Sequence, residues 1–149
     1  MEILIDNRQK RIELDQQELR KKTERILEGL GCSASSILSI ALVENTEMAE
    51  LNFAYRGKEG PTNVLSFSQA EGEAPAHRDL LGDVVISADR AADDAAQLNY
   101  TNDEMVLYLL IHGILHLVGY EHGDPAEALT MEQKLEKIFQ QFYSSEISG

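Results

Sequence analysis

Only one residue in 149 is a cysteine, Cys32, so no intramolecular disulfide can form and nothing in the chain calls for an oxidising compartment. Long apolar runs are also missing. The longest stretch, Met105 to Val118, is interrupted by His112, Gly113 and His116 and falls short of the roughly 20 residues needed to cross a bilayer. It is expected as a core helix, with no membrane partner. The opening MEILIDNRQK has neither the basic n-region nor the apolar h-region of a secretory signal, so a cytoplasmic location is expected. Repeats, low-complexity tracts and long linkers are absent. The only stretch rich in loop formers, Gln69 to Arg78 with Gly72 and Pro75, reads as a loop and not a boundary. The expectation is one domain over residues 1–149, long enough to bury a core without disulfides.

Basic residues are scarce: 13 Lys and Arg against 26 Asp and Glu give a formal charge of −13 and a pI near 4.6. Nucleic-acid binding normally rests on phosphate neutralisation by Lys and Arg, so this balance opposes non-specific binding of RNA or DNA. The charge is uneven. Residues 1–25 hold seven of the basic residues (Arg8, Lys10, Arg11, Arg20, Lys21, Lys22, Arg25) against six acids, which leaves about −14 on the rest of the chain. An RNA substrate therefore needs a local basic surface or a partner that delivers it.

The apolar pattern mixes periods of two and of three to four residues. Ile3 and Ile5 suggest a first strand, and Asp15 with Glu18 opens a helix through a capping box that ends near Gly31. Ile37 to Val43 reads as a strand, and Thr46 to Arg56 as a helix docking Met48, Leu51 and Tyr55 on a sheet. Strands are expected at Val64 to Phe67 and Leu80 to Ser87, then a helix from Ser87 to Leu98. Thr101 and Glu104 form another capping box, opening a helix that is apolar on nearly every side to Val118 and stops at Gly119. Asp124, Pro125 and Glu127 give the N-cap, N1 and N3 residues of a last helix, whose Leu135, Ile138, Phe139 and Phe142 cover the core. The expected fold is a small α/β (α+β) sandwich: a mixed four-stranded sheet, about five helices, and one central histidine-bearing helix.

Three of the four histidines, His112, His116 and His122, fall within one short segment. The first two are four apart on the expected helix and share a face, so both imidazoles can reach one ion. Gly119 can then turn the chain sharply and bring His122 back toward the open side of that ion. Three ligands with a fourth position open is the catalytic zinc arrangement, whereas structural zinc more often has four protein ligands that include cysteines. One zinc per chain is expected, although imidazole also accepts nickel, cobalt and copper. Separate histidines satisfied by hydrogen bonds are the blander alternative. The H-x-x-x-H-x-x-G-x-x-H frame is that of metzincin peptidases, where a Glu follows the first histidine as general base. Here that position is Gly113, and loss of the carboxylate removes a contribution of roughly 10²–10⁴ in rate.

The frame H-G-x-L-H-L-x-G-Y-D/E-H, matched at His112, Gly113, Leu115, His116, Leu117, Gly119, Tyr120 and His122, resembles the signature of the YbeY family. The resemblance extends to Leu51-Asn52, Tyr55-Arg56-Gly57-Lys58, Pro61-Thr62, Val64 to Phe67 and Leu81-Gly82-Asp83. It implies a single-strand-specific, metal-dependent endoribonuclease of ribosomal RNA maturation, acting at the 3′ end of the small-subunit RNA and in ribosome quality control. Zinc would sit on the three histidines, and Arg56 would be the other residue tied to activity. A small ribosomal subunit or ribosomal protein is the implied partner. Asn63 and Glu121 stand where the family more often has Asp. By its residue type Arg56 suits phosphate, because a planar guanidinium donates two hydrogen bonds; spacing alone favours a solvated arginine at a helix C-terminus, and the family resemblance reverses that preference.

Among the remaining residues, Asp83 could orient a ligand histidine or equally serve a strand-end turn, Ser66 could face the cleft though a strand serine is weak evidence of that, and Lys58 could help position phosphate though an exposed loop lysine usually serves solubility. His77 reads as a surface residue. Arg20, Lys21, Lys22 and Arg25 read as a solvated helix face, with partner docking as the sharper alternative. Two other functions compete with RNA cleavage: a metzincin-like peptidase or other hydrolase, and a non-enzymatic ribosome-assembly factor with structural zinc.

Overall fold

The computed structural model describes residues 1–68, 79–121 and 123–148, with side chains described to residue 143. The loop expected at Gln69 to Arg78, with His77, lies outside the described residues, as does His122. Strand β1 (Glu2–Arg8) leads through helix α1 (Gln16–Gly29) to β2 (Ile37–Val43), α2 (Asn45–Arg56), β3 (Val64–Ser68) and β4 (Leu80–Ser87). Three helices follow in succession: α3 (Ala88–Leu98), α4 (Asn102–Leu117) and α5 (Pro125–Ser148). The sheet order is β1-β2-β4-β3, with β1, β2 and β4 parallel and β3 antiparallel at the edge. This is the mixed four-stranded, five-helix α/β arrangement that the sequence leads one to expect.

The caps act where the sequence puts them. Thr101 Oγ1 accepts from the Glu104 amide at 3.1 Å, and Glu104 Oε1 accepts from the Thr101 amide at 2.7 Å, a complete capping box at the head of α4. Asp124 accepts from the Glu127 amide at 2.8 Å to start α5. At α1 only the Asp15 half of the box is formed among the described residues, at 3.1 Å to the Glu18 amide.

Strand β2 shows how the sheet divides the molecule. Leu38, Ile40 and Leu42 are buried in the main core with Ile26 and Leu27 of α1, Ala91 and Ala95 of α3, Phe139 of α5 and almost all of α4. The alternate residues, Ser39, Ala41 and Val43, face the other way, since side chains along a strand point to opposite faces in turn. There α2 covers only one end of the sheet, where Met48 packs with Val43, Leu65 and Val85. Among the described residues nothing covers the rest of that face, and Leu4 is 48% exposed on it.

Two details differ from expectation. Tyr55 does not dock into the core. It is 67% exposed and meets the sheet only at its edge, with its ring against Phe67 of β3. Nor is the cationic face of α1 merely solvated: Arg20 Nε donates to the Ile3 carbonyl at 3.2 Å, Lys22 lies 5.7 Å from the Tyr143 ring, and Arg25 lies 4.8 Å from that of Phe142. These charges tie α1 to β1 and α5.

Candidate active site

Helix α4 is buried along most of its length, and the way it is buried sets out the site. From Met105 to Leu117 its side chains are buried except at three positions one turn apart: Tyr108, His112 and His116. Tyr108 closes against Phe139 of α5, with ring centroids 5.5 Å apart and an interplanar angle of 85°. His112 and His116 face a cavity of about 370 Å³ at the β3 edge, lined also by Arg56, Ser66, Ser68 and Glu121. Their ring centroids are 4.8 Å apart at 73°, so the two imidazoles stand one above the other, as the four-residue spacing requires.

The floor of the cavity exists because α4 approaches the sheet without a side chain in between. A Cβ on Gly113 would meet Val84 Cγ1 at 2.6 Å and Ser66 Oγ at 3.1 Å. Ser66 Oγ instead donates to the Gly113 carbonyl at 3.0 Å, pinning the helix to the edge strand. A glutamate in the metzincin position would therefore point into the β3–β4 surface and away from the cavity. The missing carboxylate and the close helix–sheet contact are one feature.

Beyond Leu117 the chain leaves the helix through a Schellman turn. The Gly119 amide donates to the His116 carbonyl at 3.2 Å and the Tyr120 amide to that of Leu115 at 2.9 Å, with Gly119 at φ 105°. Tyr120 packs on the core beside it. The turn sends the chain back past His116 and sets Glu121 on the cavity wall.

Arg56, in the last turn of α2, lines the same cavity as the two histidines. The fold thus brings together residues widely separated in the chain. Lys58 is exposed beyond Gly57 and does not line the cavity. Asp83 is not available to the histidines: it pairs in register with Phe67 and lines a cavity on the opposite sheet face, while its neighbour Val84 is the residue that meets α4. Strand alternation decides this. Ser68 is a wall residue that sequence reasoning passed over, and Glu121, noted there only as a departure from the family pattern, is another; the period of two that carries Ser66 to the cavity carries Ser68 there as well.

His112 and His116 offer imidazole nitrogen to one side of a single ion, a donor set suited to zinc and its neighbours. Among the described residues no three metal-ligating side chains converge, and His122 lies outside them. The pair and the turn after it fit such an ion.

Fold and site together define a small α/β protein with a paired-histidine helix packed under the edge of a mixed sheet. The family model described as "Endoribonuclease YbeY" matches residues 4–143. Curated relatives of the same name include one from Geobacter metallireducens, 43% identical over 142 residues (93% of this chain and 94% of the relative), and one from Syntrophus aciditrophicus, 38% identical over 142 residues (93% and 88%). The solution structure of TM1509 from Thermotoga maritima is similar with a TM-score of 0.68 and 26% identity, covering 98% of this chain and 92% of that one. The chain belongs to the YbeY family of endoribonucleases.

Proposed function

We propose that the protein is a zinc-dependent endoribonuclease that cuts single-stranded ribosomal RNA during maturation of the small-subunit 3′ end and in ribosome quality control. In this reading His112, His116 and His122 hold one zinc ion and Arg56 binds the reacting phosphate. The observation that carries it is the cavity shared by Arg56, His112 and His116: a guanidinium that can bind phosphate beside two imidazoles that can hold a metal suits phosphodiester cleavage.

When bound, the ion supplies Lewis acidity toward the phosphodiester. The chain's own residues do the rest. His112 and His116 would hold the metal from a helix that the Ser66 bond to Gly113 ties to the sheet. The Arg56 guanidinium donates to the phosphoryl oxygens that gain charge in the transition state. Glu121 on the wall disfavours a phosphate placed beside it. The peptidase alternative loses support because the position of its general base is filled by Val84 and Ser66 contacts. With a formal charge of −13, the protein relies on a ribosomal protein or the small subunit to bring RNA to it; its location is cytoplasmic, and DNA is not a substrate.

The test is metal content by mass spectrometry for wild type and His116→Ala, with cleavage of a single-stranded RNA by each and by Arg56→Ala. The expected result is about one zinc per wild-type chain, lost with His116, and cleavage reduced by roughly 10²-fold or more in both variants. Failure to take up metal even after zinc reconstitution would remove the site. Metal with unaltered cleavage in Arg56→Ala would remove the role of Arg56.

A further inference from the structure

A second and larger cavity, about 800 Å³, lies on the open sheet face that α2 leaves uncovered. It shares its wall with the histidine cavity. Tyr55 lines the large cavity and Arg56, the next residue, lines the small one. On β3 the same division holds: Phe67 lines the large cavity, while Ser66 and Ser68 on either side of it line the small one. A strand that serves opposite faces with alternate residues, and a helix end that does so with consecutive ones, connect the two spaces over the sheet edge.

We propose that Tyr55, braced by Phe67, is a base-stacking platform that holds a nucleotide of the RNA strand next to the one whose phosphate lies at Arg56. The inference rests on the RNA-cleaving reading of the adjoining cavity. Tyr55 is 67% exposed, and the apolar area it leaves in water is unfavourable in the free protein. It has a neighbour that can brace it: the Tyr55 and Phe67 rings meet edge to face, with centroids 5.0 Å apart and an interplanar angle of 62°. An exposed ring braced on one side keeps a face on which a base can stack. Single-stranded RNA is recognised by stacking its unpaired bases on such rings.

The polar residues of the cavity orient the nucleotide. Asp83 on the floor excludes phosphate and can accept an exocyclic amino group, so the base faces inward. Arg20 lies at the far wall. Its Nε is committed to the Ile3 carbonyl, and no carboxylate pairs with it among the described residues, so its terminal nitrogens can receive the phosphate. Arg8 cannot do the same, since Asp6 at 3.1 Å and Glu47 at 2.6 Å already neutralise it. The cavity holds two arginines and two aspartates in a chain of net charge −13, making it one of the less repulsive surfaces for a polyanion.

The test is equilibrium binding of a fluorescently labelled single-stranded RNA oligonucleotide by anisotropy, with RNA integrity checked afterwards on a gel. It is repeated with one abasic site moved along the strand, for wild type, Tyr55→Ala and Tyr55→Phe. In wild type one abasic position is expected to weaken binding about tenfold. In Tyr55→Ala the intact strand should bind about tenfold more weakly, and the abasic site should then cost nothing further. Tyr55→Phe should behave as wild type. An abasic penalty that persists in Tyr55→Ala overturns the platform, as does unchanged binding by Tyr55→Ala. Loss of binding to a ribosomal protein with RNA binding intact would make the cavity a protein-docking surface and also overturn it. Wild type that binds RNA with this pattern but never cuts it would keep the platform and overturn the catalytic reading; wild type that binds no RNA overturns the platform.

Discussion

A single glycine accounts for the way this site departs from the peptidase frame it otherwise shares. Gly113 sits where α4 touches the sheet, and any side chain there meets Val84, which is fully buried and stiff at χ1. Two effects oppose each other in Gly113→Ala. Helix propensity favours alanine by about 1 kcal/mol, while overpacking a well-filled core costs about 1–3 kcal/mol. A 2.6 Å contact with a β-branched neighbour makes the second effect larger, so a net loss of about 1–2 kcal/mol is expected, or roughly 3–6 °C in Tm. Thermal denaturation checks this. A Tm at or above wild type would mean that Val84 gives way and that the close approach is not what excludes a carboxylate from this position.

At the scale of elements, α4 and α2 behave differently, and the contrast marks what their sequences could say. The capping box, apolar content and glycine stop of α4 all agree, and the helix runs Asn102–Leu117 as expected. Its two histidines are visible as a pair because helical geometry fixes their relation over a single turn. Thr101→Ala removes the cap acceptor and frees Glu104, and should lower stability by about 1 kcal/mol. With the cap about four turns from His116, RNA cleavage at room temperature should stay at the wild-type rate. A Thr101→Ala protein of unchanged Tm but altered cleavage would show instead that the cap tunes the site. Helix α2 carries the same three- and four-residue spacing of Met48, Leu51 and Tyr55, but only Met48 is fully buried. Spacing gives a face, not how deeply each residue of it is covered.

For the whole molecule the governing quantity is charge. Long-range repulsion from a net −13 works against RNA, and the site offers Arg56 and, through the larger cavity, Arg20. Each phosphate contact to a single strand contributes a slope of about −0.7 to log K against log salt. Two contacts predict no steeper than about −1.5, and screening of the repulsion by added salt makes it shallower still. Binding titrations at several salt concentrations measure this. A slope of about −3 or steeper would show that RNA engages a basic surface other than these two arginines.

The sequence by itself determined whatever depends on neighbours in the chain: helix ends from caps, strands from alternation, the pairing of His112 with His116, and the turn at Gly119. These are legible because rise and period are fixed by the backbone. It also brought out Arg56, but only through its likeness to a family; nothing local distinguishes that arginine from one that caps a helix dipole. The tertiary structure alone decided which face each strand residue serves. It turned Asp83 away from the histidines, put Ser66 on the Gly113 carbonyl, and left Tyr55 uncovered beside Arg56. Those outcomes follow from β3 being the edge strand of the order β1-β2-β4-β3, a long-range pairing that no local pattern encodes.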